Sequence, residues 1–160
     1  MILVTLGTQD KKFTRLLIEI DRLIDLGKIN DKIVVQAGYS SDYKSSNMEI
    51  FDLINKDEFD KLISDCDILI THGGVGAILT GLKYKKKVIA IPRLKKYKEH
   101  VNDHQLQIVS NFNEEGYIIG ISDISELEPS VLKIKNFKPK EYQSNKKHMI
   151  SLVKELIEKN

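Results

Sequence analysis

Short apolar runs alternate with segments whose apolar residues recur every three or four positions. The first run, Ile2–Leu6, ends at Gly7–Thr8–Gln9. A run that short predicts a buried strand rather than a helix. Phe13, Leu16, Leu17, Ile20, Leu23 and Ile24 then trace one face of a helix, which Gly27 terminates. Ile33–Val34–Val35 predicts the next strand, ending in Gln36–Ala37–Gly38–Tyr39–Ser40–Ser41. Residues 42–47 are polar and read as loop. Met48–Phe51 reads as a short strand, and Asp57–Asp65 as a helix presenting Phe59, Leu62 and Ile63.

The most informative stretch is Asp67–Gln105. Ile68–Leu69–Ile70 predicts a fourth strand, and Thr71–His72–Gly73–Gly74–Val75–Gly76 follows it. Ala77, Ile78, Leu79 and Leu82 then fall at helical spacing, so the glycines sit where a strand hands over to a helix. Free N–H groups at a helix start, together with the helix dipole, favour an anion, and phosphate is the usual one. Val88–Ile91 predicts a fifth strand that stops at Pro92–Arg93. Glu99–His100–Val101–Asn102–Asp103–His104–Gln105 opens a helix expected over residues 101–115, with Val101, Ile108, Val109 and Phe112 apolar. Tyr117–Ile121 reads as a sixth strand, Asp123–Pro129 as a connector, and Lys133–Lys147 as basic and weakly patterned. Met149, Ile150, Val153, Leu156 and Ile157 form the stripe of an amphipathic helix at about 145–160.

The expectation is a single Rossmann-like α/β domain over residues 1–160, a doubly wound parallel sheet. Ligands bind such a sheet at the carboxyl ends of its strands. Gly7 and Thr8 are then candidates for close approach to a ligand, against the alternative of a plain turn. Gly38 and Ser40 carry the same two readings. There is no GxGxxG after the first strand, which counts against a dinucleotide.

Composition narrows the picture. With 160 residues, 41% of them hydrophobic, the chain can bury one core. A net charge of +2 does not argue for nucleic acid. The single Cys66 rules out an internal disulfide. The first residues lack a basic n-region and a cleavage site, and no apolar run approaches the ~20 residues of a membrane span. From Lys83 to Lys98 eight basic residues occur with no acidic one. They form either a solvated face or a surface drawn to an anionic membrane. Asp65 and Asp67 flank Cys66 at the opposite end of the strand from the glycines, where a solvated turn is expected.

At these residues the chain resembles the donor-binding half of GT-B glycosyltransferases, specifically the family-28 C-terminal domain. THGGVGAIL, a strand ending in proline, and DHQ also resemble the signature of plant UDP-sugar transferases. VTLGTQ, VVQAGYS, ITHGGVGAI and IPRLKKYKEHVNDHQLQI resemble short bacterial exopolysaccharide and capsule transferase subunits. They also resemble the small subunit of the eukaryotic UDP-GlcNAc transferase acting on dolichol-linked GlcNAc. Many such enzymes carry a ribose-binding glutamate in the helix after the glycines. Leu79, Thr80 and Gly81 stand there here, and Thr80 offers one hydrogen bond rather than a bidentate carboxylate.

The resemblance implies transfer of a hexose from a UDP-sugar to a lipid-linked saccharide in exopolysaccharide or capsule synthesis. It implies galactose, added β-1,4, with GlcNAc and glucuronic acid open. Gly73, Gly74, Val75 and Gly76 would present N–H groups to the diphosphate. Arg93 would touch the diphosphate or a partner. Asp103 and Gln105 would bond hydroxyls of the transferred sugar, with His104 beside them. His72, Glu99 and His100 are the candidates nearest the chemistry; His72 equally suits bracing the loop. No metal is expected: the one Asp-x-Asp spacing, Asp65–Cys66–Asp67, falls at the opposite end of the fourth strand from the glycines. A GT-B site lies between two Rossmann-like domains, and this chain has room for one. A membrane-anchored partner would supply the acceptor half and hold the chain at the inner face of the membrane, on the cytoplasmic side. The rival reading is a non-catalytic nucleotide-binding or regulatory subunit.

Overall fold

The computed structural model describes residues 1–142. The C-terminal stripe from Met149 to Ile157, and part of the basic segment before it, lie outside the described residues.

Six strands form one parallel sheet: β1 (Ile2–Thr5), β2 (Ile33–Gln36), β3 (Glu49–Phe51), β4 (Ile68–His72), β5 (Lys87–Ile91) and β6 (Ile119–Gly120). Their spatial order is β3-β2-β1-β4-β5-β6, and every pairing is parallel. This is the doubly wound arrangement expected from the pattern, with the order reversing between β1 and β4. β1 and β4 pair from Ile2 with Ile68 to Thr5 with Thr71.

The central strands read as continuous apolar runs because both faces are covered. Ile2, Val4, Ile33, Val35, Ile68, Ile70, Ile89 and Ile91 point to one side. There they meet α1 (Thr14–Asp25), through Phe13, Leu16, Leu17, Ile20 and Leu23, and α5 (Leu127–Lys133), through Leu127 and Val131. Leu3, Val34, Leu69, Val88 and Ala90 point to the other. That face holds α2 (Lys56–Asp65), α3 (Val75–Lys83) and α4 (His104–Glu114), through Ile63, Ile78, Leu82, Val109 and Phe112.

Three boundaries differ from expectation. α5 occupies part of what reads as a connector. A capping box starts this region: Asp123 accepts from the Ser125 N–H, and Glu126 accepts from the Asp123 N–H. α4 begins at His104 rather than Val101, because the Asn102 side chain accepts from the His104 N–H and closes the turn ahead of the helix. Val101 is left 66% exposed. β6 is two residues long, since the Tyr117 N–H returns to the Phe112 carbonyl instead of joining the ladder.

Candidate functional site

The point where the strand order reverses is also where the deepest polar loops converge. β1 ends in a turn with Gly7 at φ +80°, a conformation that favours glycine. A Cβ there would also lie 2.7 Å from His72 Nε2, so the first loop and the glycine loop touch through this position. Beneath them, the Thr5 hydroxyl donates to that of Thr71 across the β1–β4 pair, at 2.7 Å. Gln36, at the end of β2, donates to the Gly7 and Asp52 carbonyls at 3.3 and 3.2 Å, tying the loops after β1 and β3 together.

Above these loops opens a cleft of about 460 Å³. Thr5, Gly7, Thr8 and Gln36 line one side, and His72, Gly76, Ala77 and Thr80 another. Leu53, Ile54, Lys56 and Phe59 make the third wall, from the β3 end and the start of α2. A smaller hollow of about 340 Å³ adjoins it, sharing Thr8 and Leu53, and reaches Gly38 and Asp52. The first bond of α3 runs from the Ile78 N–H to the Gly74 carbonyl. The N–H groups of Val75, Gly76 and Ala77 therefore precede the helical ladder. An added Cβ on Gly76 would meet nothing within 4 Å. Among the described residues Lys56 is the one formally charged side chain lining the cleft, and no carboxylate lines it. A helix N-terminus, one ammonium group and an apolar wall together suit an anion joined to a flat or apolar group.

Several expected ligand contacts turn out to be internal. Gly73 is not free to bind phosphate: its N–H donates to Gln105 Oε1 at 3.0 Å. A Cβ on Gly73 would press on Gln105 Cβ and Val109 Cγ2 at 2.8 Å, so this glycine serves the packing of α4. Gln105 is 5% exposed, and its Oε1 also accepts the Arg93 N–H at 3.0 Å, so this oxygen cannot serve a sugar hydroxyl. Arg93 does not line the cleft. It is wholly buried and donates to the carbonyls of Leu6, Lys11 and Glu99 at 2.5, 2.8 and 3.1 Å. Its guanidinium lies 5.1 Å from the centre of the Phe13 ring. Burial pushes the Arg93 pKa down to about 10, with the Glu99 charge opposing, so it stays cationic at neutral pH.

Glu99 is no free acid or base. Its carboxylate accepts two bonds from Arg15, at 2.8 and 3.1 Å, and a third from the Leu94 N–H at 3.0 Å. The pair holds the turn Lys95–Tyr97 against α1. His100, Asp103 and His104 sit on this β5 loop and the start of α4, and none lines the cleft. His100 Nδ1 accepts the Asn102 N–H, and Asp103 accepts the Lys95 N–H instead of capping α4. Burial first, then the charge of Arg93, lowers the His100 pKa below its ordinary value. Ser40 is buried and accepts the Phe13 N–H, so of the β2-end pair only Gly38 borders a hollow.

His72 does line the cleft. Its Nδ1 lies 3.2 Å from Gln105 Nε2. Burial, then the charge of Arg93, pushes its pKa down to about 4. Thr80 also lines the cleft, with its hydroxyl donating to the Gly76 carbonyl at 2.8 Å.

The basic run is not one surface. Lys83, Lys85, Lys86 and Lys87 lie at the end of α3 and the start of β5, the far edge of the sheet from the cleft. Lys86 and Lys87 there donate to the Ser64 and Lys135 carbonyls. Lys95, Lys96 and Lys98 are exposed on the cleft edge, with Arg93 buried between the groups. Sequence reasoning missed Leu53, Ile54, Lys56 and Phe59. The available signal was that β3, like every parallel strand, must end at the ligand edge. Among the described residues no cluster of His, Cys, Asp and Glu could hold a metal, and no helix is long and apolar enough to cross a membrane.

The sequence model of the glycosyltransferase family 28 C-terminal domain matches residues 1–159. Over 109 residues the chain is 30% identical to the UDP-N-acetylglucosamine transferase subunit ALG13 of Candida albicans. That match covers 68% of this chain and 36% of the relative, so the chain spans about a third of that protein's length. An NMR solution structure of ALG13 superposes with a TM-score of 0.57 at 18% identity, covering 86% of this chain and 87% of that one. The glycotransferase of kitacinnamycin gives 0.61 at 16% identity, covering 82% and 34%. Acinetobacter baumannii MurG gives 0.52 at 13%, covering 95% and 49%. The last three likenesses speak for the fold, and the match of the family model to nearly the whole sequence speaks for descent. The chain belongs to the glycosyltransferase family 28 C-terminal domain family.

Proposed function

We propose that the chain is the donor-binding, catalytic subunit of a two-subunit glycosyltransferase, and that the 460 Å³ cleft holds the nucleotide of a UDP-sugar. One observation carries this reading. Gly76 and Ala77, whose N–H groups precede the α3 ladder, line a cleft that contains Lys56 and, among the described residues, no carboxylate. The diphosphate sits at the α3 N-terminus, and the nucleoside extends along Leu53, Ile54 and Phe59.

The reaction is attack of an acceptor hydroxyl on the anomeric carbon, with UDP leaving. Charge grows on the leaving phosphate oxygen. Backbone N–H groups already aimed at that position stabilise it without reorganising. With no carboxylate lining the cleft among the described residues, the group that takes the acceptor proton comes from outside it, and the second subunit supplies it with the acceptor site. That the relative is named a transferase subunit supports a site shared with a second polypeptide. The transferred sugar is a hexose, with galactose added β-1,4 to a lipid-linked saccharide as the specific assignment. The partner is membrane-anchored and holds the chain at the cytoplasmic face.

Calorimetry with UDP and with NAD tests the first step. UDP binding that survives EDTA, with no NAD binding, is expected. Binding lost in EDTA and restored by manganese would point to a different donor site. Transfer of labelled galactose to a lipid-linked acceptor, by this chain together with its partner, tests the second. UDP binding without transfer of any sugar would favour the regulatory reading.

A further inference from the structure

Gln105 joins three groups from two loops. Its Oε1 accepts the N–H of Gly73 and the N–H of Arg93, each at 3.0 Å, and its Nε2 faces His72 Nδ1 at 3.2 Å. An amide can be turned end for end, but here only one orientation works. Two backbone donors converge on one atom, and only the oxygen can accept both. The NH2 end must then face His72. An NH2 group donates, so Nδ1 has to be the accepting, unprotonated nitrogen. In a neutral imidazole the proton then resides on Nε2.

The Nε2 edge packs where Gly7 and Gly74 lack side chains: added Cβ atoms there would lie 2.7 and 2.9 Å from Nε2. Among the described residues no protein group accepts from Nε2, and His72 lines the cleft. We propose that Gln105 is a positioning residue that fixes His72 as the Nε2–H tautomer, so that His72 acts in the cleft as a neutral hydrogen-bond donor to the ligand's anion and not as a proton acceptor. The charged groups around the ring agree with this. Burial and the nearby Arg93 and His100 all disfavour the imidazolium. An amide turned the other way would accept from Nδ1–H and favour protonation, but the two backbone N–H groups exclude that orientation. The role assigned to the ligand rests on the reading of the cleft as a diphosphate site; the tautomer does not.

The test is long-range 15N–1H NMR of the full chain labelled at histidine, with the His72 signals identified from a His72→Gln variant. Ligand-free protein at neutral pH should show Nδ1 as the unprotonated nitrogen and Nε2 as the protonated one. Protonated Nδ1 would overturn the assignment regardless of what the cleft binds. Gln105→Glu keeps an acceptor for Gly73 and Arg93 but turns the third partner into an acceptor, so Nδ1 should gain a proton. An unchanged tautomer in this variant, folded as judged by its backbone amide spectrum, would also overturn it. If the variant does not fold, the wild-type spectrum alone decides.

Titration with UDP-galactose, whose diphosphate does not ionise near neutrality, reads the consequence. Wild-type affinity should be flat from about pH 6 to about pH 8, while Gln105→Glu should lose roughly tenfold or more as His72 gives up its second proton. The expected tautomer with no binding of UDP-galactose would refute the donor role of His72 and question the proposed function, leaving the Gln105 assignment standing.

Discussion

Gly76→Val separates the ligand role of the glycine loop from its packing role. Gly76 sits in the first turn of α3 and lines the cleft, and an added Cβ meets nothing within 4 Å. Valine therefore fits the apo fold, and its lower helix propensity than alanine roughly cancels the gain over glycine, to within ~0.5 kcal/mol. In the cleft the outcome differs. The isopropyl group occupies the space beside the N–H groups of Val75 and Ala77, and a phosphate can no longer approach them. A hydrogen bond to a charged group contributes ~1.5–3 kcal/mol. Loss of two such bonds weakens UDP binding by ~3–6 kcal/mol, on the order of 10²- to 10⁴-fold. Calorimetry against UDP measures this, and thermal unfolding supplies the control. Gly73→Ala should give the opposite profile. Its Cβ would lie 2.8 Å from both Gln105 Cβ and Val109 Cγ2, so overpacking costs ~1–3 kcal/mol of stability. Gly74→Val is a poorer probe, because its Cβ would lie 2.3 Å from His72 Cε1 and disturb both roles. A Gly76→Val protein that is folded and binds UDP normally would refute the placement of the diphosphate at α3.

Three further outcomes are expected. His72 titrates at about 4 in the fold against an ordinary 6.5, so the unfolded chain binds more protons between these values; stability present above about pH 6.5 should fall by ~3 kcal/mol towards pH 4, and His72→Gln should flatten that window in denaturant titrations. Glu99→Gln leaves Arg15 without its carboxylate in a largely buried pair and should cost about 3 kcal/mol or more in urea unfolding, with UDP affinity little changed; transfer lost at full stability would return Glu99 to the chemistry. The isolated chain should transfer little or no sugar, and removal of residues 145–160 should weaken co-purification with the proposed membrane-anchored partner more than UDP binding; full turnover by the chain alone would refute the two-subunit reading.

Much of this molecule is legible from local pattern. The strands β1, β2, β4 and β5 are short apolar runs, and the glycine loop sits at a strand–helix junction visible in sequence. The misreadings share one physical cause. Arg93 follows a strand-ending proline, which marks the ligand edge correctly, but its partners are carbonyls of Leu6 and Lys11, more than 80 residues away. Glu99 meets Arg15 across 84 residues. Whether a charged side chain at that edge faces ligand or protein depends on such distant partners, and no spacing rule reports them. The Leu53–Phe59 wall was missed for a different reason: Met48–Phe51 reads as a strand, but the residues after it form no glycine or polar cluster of the kind that marks the other strand ends. α5 was readable in principle, since Asp123 and Glu126 stand at capping-box spacing and Leu127, Val131 and Ile134 recur helically.

The placement of β1 between β2 and β4 has a consequence for biosynthesis. Thr5 and Thr71, whose hydroxyls pair beneath the cleft, are 66 residues apart. Ribosomes add about 5–20 residues each second. For roughly 3–13 seconds the nascent chain therefore holds β1 while β4 is still unmade. During that interval the edge of Ile2, Leu3 and Val4 that will pair with β4 is uncovered and apolar, of the kind to which other chains add. The strand whose Thr5 lines the cleft in the finished protein is, while the chain is being made, an edge open to other strands. Aggregation in translation should respond to changes in the rate at which codons 6–72 are read, and a ligand added early cannot help, because its site does not exist until β4 arrives.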